Sequence, residues 1–149
     1  LMIDSTHPME DQTEWIEDQL KNTKAIWKFV MFHFPPYNFE EPYFEYQKEW
    51  VPIFDKYHVD MVMSGHIHYY MRSKPMNNGK VVASHKDGTV YAISIGTSSR
   101  NRDIGEEPYA KVRFSEGQYY QHMEIDENIL KYTTHNKEGK IVDHFTIKK

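Results

Sequence analysis

Residues 59–68 read Val59-Asp60-Met61-Val62-Met63-Ser64-Gly65-His66-Ile67-His68. A short apolar run with one acid meets Ser-Gly and then two histidines one residue apart. A similar phrase stands upstream. Ala25-Ile26-Trp27-Lys28-Phe29-Val30-Met31-Phe32 is nearly continuously apolar, Lys28 is its only charge, and His33 follows. Neither run alternates, and both are short for a buried helix. They read as strands covered on both faces, the pattern of a parallel sheet.

Working outward, Phe34-Pro35-Pro36-Tyr37-Asn38 breaks the first run. Tyr46, Trp50, Ile53, Phe54 and Tyr57 then fall near helical spacing with Pro52 among them, so a helix starts near Val51 or kinks there. At the beginning, Leu1-Met2-Ile3-Asp4 reads as the tail of a strand and Ser5-Thr6-His7-Pro8 as a turn. Asp11-Gln12-Thr13-Glu14 has capping-box spacing for a helix starting near Asp11, with Trp15, Ile16, Gln19 and Leu20 as its mostly apolar face. Helix, strand, helix, strand is the rhythm of a layered α/β fold.

The second half changes character. Thr89 to Ile95 is strand-like, and residues 98–117 are polar and read as a loop. Tyr119–Ile125, Ile129–Thr134 and Ile141–Ile147 read as three strands, separated by the turns Asp126-Glu127-Asn128 and Asn136-Lys137-Glu138-Gly139. They form an antiparallel meander. The chain thus reads as one domain over 1–149. Residues 1–75 are the helix–strand half with the candidate histidines, and 76–149 are mostly β.

Composition narrows the classes. A chain of 149 residues, 39% hydrophobic and 15% aromatic, can build a core and is not disordered. The net charge is −4 and the basic residues form no stripe, so no nucleic-acid partner is expected. The absence of cysteine excludes disulfides, thiolate zinc sites and a thiol nucleophile. No apolar run approaches the ~20 residues of a membrane helix, and no membrane partner is expected. The compartment stays open between cytoplasm, periplasm and secretion. Because the chain begins at Leu1, it is expected to be a piece of a longer protein.

The chemistry is positional. Ligands of open α/β sheets bind outside the carboxyl ends of the strands, and both apolar runs end in histidine. Neighbouring parallel strands would bring His33, His66 and His68 to one edge. In an extended segment residues i and i+2 point the same way. His66 and His68 would then chelate one ion, or each take one of two ions ~3.5–4 Å apart. Gly65 would permit a tight turn or close approach of a ligand. An isolated His-x-His is a common pair, so only the ordered combination with His33 carries weight. His7, His58, His85, His122, His135 and His144 read as ordinary polar residues.

Several segments resemble the calcineurin-like metallophosphoesterases, nearest to the purple acid phosphatases. Gln12-Thr13-Glu14-Trp15-Ile16, with Leu20, resembles the family's Q-x-x-W-[LI] helix. Val30-Met31-Phe32-His33 resembles V-x-x-H, and Trp50 to Asp60 the helix leading to the last motif. Gly65-His66-Ile67-His68-Tyr69-Tyr70-Met71-Arg72-Ser73 matches G-H-x-H-x-Y-x-R-S, and Gly139-Lys140-Ile141-Val142-Asp143, with Phe145, resembles the closing strand.

The resemblance implies the C-terminal half of a four-layer α/β/β/α sandwich. It implies hydrolysis of a phosphate ester by a hydroxide activated at two divalent or trivalent ions (Fe, Zn or Mn). His33 and His66 would ligate the second metal and His68 the first. The family's D-x-H, G-D-x-x-Y and G-N-H-[DE] motifs do not occur in this sequence. The site is therefore expected to be partial, with no catalytic side chain assigned by motif. The isolated chain is expected to be a poor catalyst that binds Zn²⁺, Ni²⁺ or Mn²⁺ weakly. It should associate with the missing N-terminal half or with itself. The loop from Pro36 to Tyr43 lacks the histidines that many plant-type members place there. Tyr37, Asn38, Tyr70 and Arg72 are the candidates for reaching substrate or for supporting the ligands from behind. Arg suits phosphate geometrically. The rival reading is a non-catalytic interaction or metal-binding module. A single-metal His-x-His enzyme of the double-stranded β-helix type fits the early helix–strand rhythm poorly.

Overall fold

The computed structural model describes residues 1–41, 43–94 and 105–149. Its central sheet has five strands in the order β1-β2-β6-β3-β7: β1 (Phe29–Met31), β2 (Met61–Ser64), β6 (Val90–Ile93), β3 (Tyr70–Ser73) and β7 (Ala110–Phe114). The first three are parallel, and β3 is antiparallel to both of its neighbours. Leu1–Ile3 extends the sheet beside β1. Met31 N–H donates to Leu1 O and Ile3 N–H to Met31 O, both at 2.9 Å.

Helices α1 (Glu10–Asn22), α2 (Phe44–Glu49) and α3 (Val51–Lys56) lie on one face. There Ile16, Leu20, Trp50 and Phe54 pack with Val30, Val62 and Tyr91 of the sheet. On the other face sits the meander β8 (Tyr119–Asp126), β9 (Ile129–Asn136) and β10 (Ile141–Lys148), in the order β10-β9-β8. Tyr132, Met123 and Phe145 of the meander meet Met61, Val90, Ala92 and Phe29. The result is a mixed α/β architecture of helices, sheet and second sheet, with the antiparallel meander in place. A short hairpin, β4 (Met76–Asn77) and β5 (Lys80–Val81), completes the strands. No helix among the described residues is long and apolar enough to cross a membrane.

Pro52 decides the middle of the helical layer. It sits in the first turn of α3, where its missing N–H costs nothing. The chain therefore breaks at Trp50 into two helices, and Trp50, fully buried, donates Nε1–H to Thr13 Oγ1 at 3.0 Å.

Several local expectations are corrected. The capping box does not form. α1 starts at Glu10, and Met9 holds the cap position with no side-chain bond. Gln12 instead reaches back, donating to Asp4 O at 2.6 Å and accepting from Asp4 N–H at 3.2 Å. The buried face of α1 is only Ile16 and Leu20, since Trp15 is exposed. The first apolar run yields only three strand residues, and on the side away from the helices the meander covers it at Phe29 but not at Met31. Met31 and Ile26 keep exposed side chains. Within the stretch read as a loop, residues 110–114 form β7 against β3, while 98–104 fall outside the described residues. Ile95, at the end of the strand read from Thr89, is also outside them.

Candidate metal centre

The β1–β2 register pairs Met31 with Met63. The ladder continues past both strands: Phe32 N–H donates to Met63 O and Gly65 N–H to His33 O, each at 3.2 Å. This places His33 beside Gly65 and His66 at the carboxyl ends of two parallel strands. The imidazoles meet edge to face, with centroids 4.9 Å apart and His33 Nε2 3.0 Å from His66 Nδ1.

His66 reaches that position through an unusual backbone. Its φ is +61°, and Ile67 N–H donates to Gly65 O at 2.7 Å, closing a three-residue turn with His66 at its centre. A γ-turn with positive φ is the rare, strained form. The extended His-x-His geometry is therefore not adopted. The reason is Ile67, which is buried against Tyr69, Met71 and Ile93 and pulls the chain into successive turns. His68 is exposed, and no ring contact or hydrogen bond found among the described residues joins it to His33 or His66. Gly65 has no positive φ. A Cβ added there would meet the His33 ring at an ordinary 3.7 Å, so the special conformation belongs to His66.

The loop after β1 wraps the pair. Phe34 packs on His33 at 5.1 Å and on His66 at 4.7 Å, and Tyr43 lies 6.0 Å from His66. Glu41 Oε2 is 3.5 Å from His66 Nε2, and the Tyr43 hydroxyl donates to the Glu41 carboxylate. Behind the pair, His33 N–H donates to Ser5 Oγ at 3.1 Å, and Tyr46 Oη donates to Ser5 O at 2.9 Å.

Two nitrogens bound to one ion at about 2.0–2.1 Å lie about 3 Å apart when they are adjacent ligands. The His33–His66 spacing fits that geometry as two of an ion's donors. Among the described residues no group of three or more His, Asp or Glu side chains is placed to hold an ion.

The other candidates sit elsewhere. Tyr70 Oη donates to Asp143 Oδ2 at 2.7 Å and accepts from Thr134 Oγ1 at 2.9 Å. Arg72 forms a buried ion pair with Asp143 and stacks over Phe145 at 4.6 Å. Both side chains join β3 to the meander. Tyr37 is buried against Tyr91 and Tyr109, and burial, with the nearby Asp55 carboxylate, pushes its hydroxyl up to about 12. Asn38 ties its own loop together through Pro35, Glu40 and Glu41. Sequence reasoning missed Glu41 and Phe34 as neighbours of His66. No motif marks them, because the loop brings them there by its fold.

A V-x-x-H strand end, a G-H-x-H turn on the adjacent parallel strand and a sheet layered between helices and a second sheet define a metallophosphoesterase type of fold. Residues 2–70 match the family model for calcineurin-like phosphoesterases. That match spans just under half of the chain and, with the strand-end histidine motifs, supports placing it in the calcineurin-like phosphoesterase superfamily. It is 35% identical over 101 residues to purple acid phosphatase 18 of Arabidopsis thaliana, covering 63% of this chain and 22% of that protein. The purple acid phosphatase PPD1 from yellow lupin superposes with a TM-score of 0.81 at 17% identity, over 99% of this chain and 30% of that one. GAP50, the anchor in the inner membrane complex of Plasmodium, superposes with a TM-score of 0.76 at 15% identity, over 99% of this chain and 48% of that one. The chain thus spans under half of each relative, and at these identities the two structures show likeness of fold. Other relatives carry phosphatase names, among them the purple acid phosphatase of Glycine max, 36% identical over 74 residues.

Proposed function

We propose that this chain is part of a binuclear metal-dependent phosphoesterase that hydrolyses phosphate esters. One observation supports it above the rest: His33 Nε2 and His66 Nδ1 stand 3.0 Å apart at the carboxyl ends of β1 and β2. His33 and His66 hold one ion, and His68 serves the second. Bound ions supply charge neutralisation at the phosphoryl group and lower the pKa of water. This chain's residues hold and orient. Ser5 and the β1–β2 ladder fix His33, the turn at Ile67 fixes His66, and the Arg72–Asp143 pair fixes the segment that follows.

The remaining ligands come from a preceding segment of a longer chain, and these residues alone turn over little substrate. That segment, or a second copy, covers the open flank beside Leu1–Ile3. There Met2 and Met31 are exposed next to a cleft of about 420 Å³ lined also by Met63, Ala92, Gln121 and Tyr132. Light scattering across concentrations tests this, and a clean monomer throughout, with no association to an added N-terminal segment, argues against it.

Calorimetric titration of Zn²⁺, Ni²⁺ and Mn²⁺ into the chain and its His33→Ala, His66→Ala and His68→Ala variants, with assay of an aryl phosphate, tests the site. Loss of affinity with the fold intact supports the metal reading. Unchanged affinity across all three variants sinks it, and robust hydrolysis by the isolated chain sinks the expectation that these residues alone turn over little substrate. A second reading is a non-catalytic interaction module on the same fold. It is favoured by the exposed His68 and by the likeness to GAP50, and unchanged metal titrations would select it.

A further inference from the structure

The two ring nitrogens of His66 have different neighbours. Nδ1 lies 3.0 Å from His33 Nε2, and Nε2 lies 3.5 Å from Glu41 Oε2. A neutral imidazole carries its proton on one nitrogen only. At 3.5 Å the contact is electrostatic and not a formed hydrogen bond, but a lone pair at Nε2 would stand beside the carboxylate charge, whereas an N–H there brings its positive end nearer to it. Electrostatics therefore selects the Nε2–H form, and Nδ1 is left with its lone pair directed at His33. In the metal-free chain His33 then donates Nε2–H across the 3.0 Å contact.

Glu41 is itself held in place. Asn38 Oδ1 accepts from the backbone N–H groups of Glu40 at 2.9 Å and Glu41 at 2.7 Å. Asn38 Nδ2 donates to Pro35 O at 3.0 Å and Glu41 O at 2.6 Å. The Tyr43 hydroxyl takes the same carboxylate oxygen that faces His66. Phe34 and Tyr43 flank the imidazole, which limits its rotation.

We propose that Glu41 is a positioning residue that fixes the tautomer and orientation of His66, so that Nδ1 is its ligating nitrogen. Metal-bound histidines commonly donate their other N–H to a carboxylate, which sets which nitrogen is free to bind. The proposal gives Asn38 a role as well: it anchors the loop that presents Glu41. It rests on reading His66 as a ligand, but the decisive measurement is made without metal.

Long-range ¹H–¹⁵N correlation of the metal-free chain, at a pH where the imidazoles are neutral, reads the tautomer directly. The expected result is a protonated Nε2 and a bare Nδ1 at His66. Glu41→Gln keeps an acceptor in its amide carbonyl and should preserve that form. Glu41→Ala should shift the ring to a tautomer mixture and weaken Zn²⁺ binding roughly 10–100-fold. Glu41 is half exposed, so neither variant threatens the fold. A bare Nε2 in the wild type, or a Glu41→Ala spectrum unchanged at His66, overturns the proposal. The expected tautomer and its loss in Glu41→Ala, found in a chain that binds no metal, support the positioning role and remove only the ligand reading.

Discussion

The guanidinium of Arg72 on β3 and the carboxylate of Asp143 on β10 close a two-pronged ion pair between the sheets, with Nε to Oδ2 at 2.6 Å and Nη2 to Oδ1 at 2.8 Å. Both side chains are almost wholly buried. Tyr70 binds the same carboxylate, and Thr134 binds Tyr70. Removing either charged partner strands the other in the interior. Asp143→Ala and Arg72→Ala are each expected to cost about 3–5 kcal/mol, read from urea denaturation. The double variant should lose clearly less than the sum of the two. Additive losses would mean that the two groups do not act together.

The same pair sets a pH dependence. Burial alone pushes the Asp143 carboxyl up, but the hydrogen bonds from Arg72 and Tyr70 and the Arg72 charge outweigh it and leave the group below its ordinary 3.8. A carboxyl depressed in the folded state stabilises fully above its unfolded value, and that stability drains as pH falls through the folded value. The urea midpoint should therefore fall as pH drops below about 4. The part of that slope due to Asp143 should vanish in Asp143→Asn. Identical slopes in the two proteins would contradict the assignment.

The backbone at His66 predicts a second stability effect. Ala and Gly both remove the ring, so comparing them isolates the positive φ. His66→Gly should be more stable than His66→Ala by about 1 kcal/mol, because glycine avoids the Cβ clash of left-handed backbone. Thermal or chemical denaturation of the pair decides it, and equal stability would show that the turn relaxes once the ring is gone.

Metal titration separates the three histidines. His66→Ala is expected to weaken Zn²⁺ or Ni²⁺ binding by at least the roughly tenfold that loss of even an outer partner costs. His68→Ala should leave that first binding event nearly untouched, since His68 stands apart from the pair. An equal loss in both variants would place His68 with the others in solution.

What the sequence made legible followed repeating pattern. The apolar runs ending in His33 and in Gly65-His66 marked the parallel β1–β2 pair, and the spaced apolar strands and turns marked the meander. Two elements were legible but passed over. Ala110, Val112 and Phe114 alternate with Lys111 and Arg113, a period of two within a stretch that looked uniformly polar. Asn78-Gly79, with φ of +50° and +70°, makes the tight turn of the β4–β5 hairpin. The turn at His66 was not readable from spacing. It depends on where Ile67 finds its apolar partners, which is a tertiary matter. The bond of Arg72 to Asp143 is also tertiary, since nothing local links residues so far apart in the chain. The capping box failed because the helix starts earlier, at Glu10, which puts Asp11 inside the first turn instead of at the cap.

The segment from Gly65 to Ser73 behaves as a lever with both ends clamped. One end is the imidazole pair and the other is the Arg72 pin, with Ile67, Tyr69 and Met71 wedged between them as a rigid shaft. Asp143, near the other end of the chain, is thus joined to the neighbourhood of His66 by a continuous run of buried contacts. Loss of the pin in Asp143→Ala is therefore expected to change the His66 ring signals as well as the stability, although Asp143 touches neither ring.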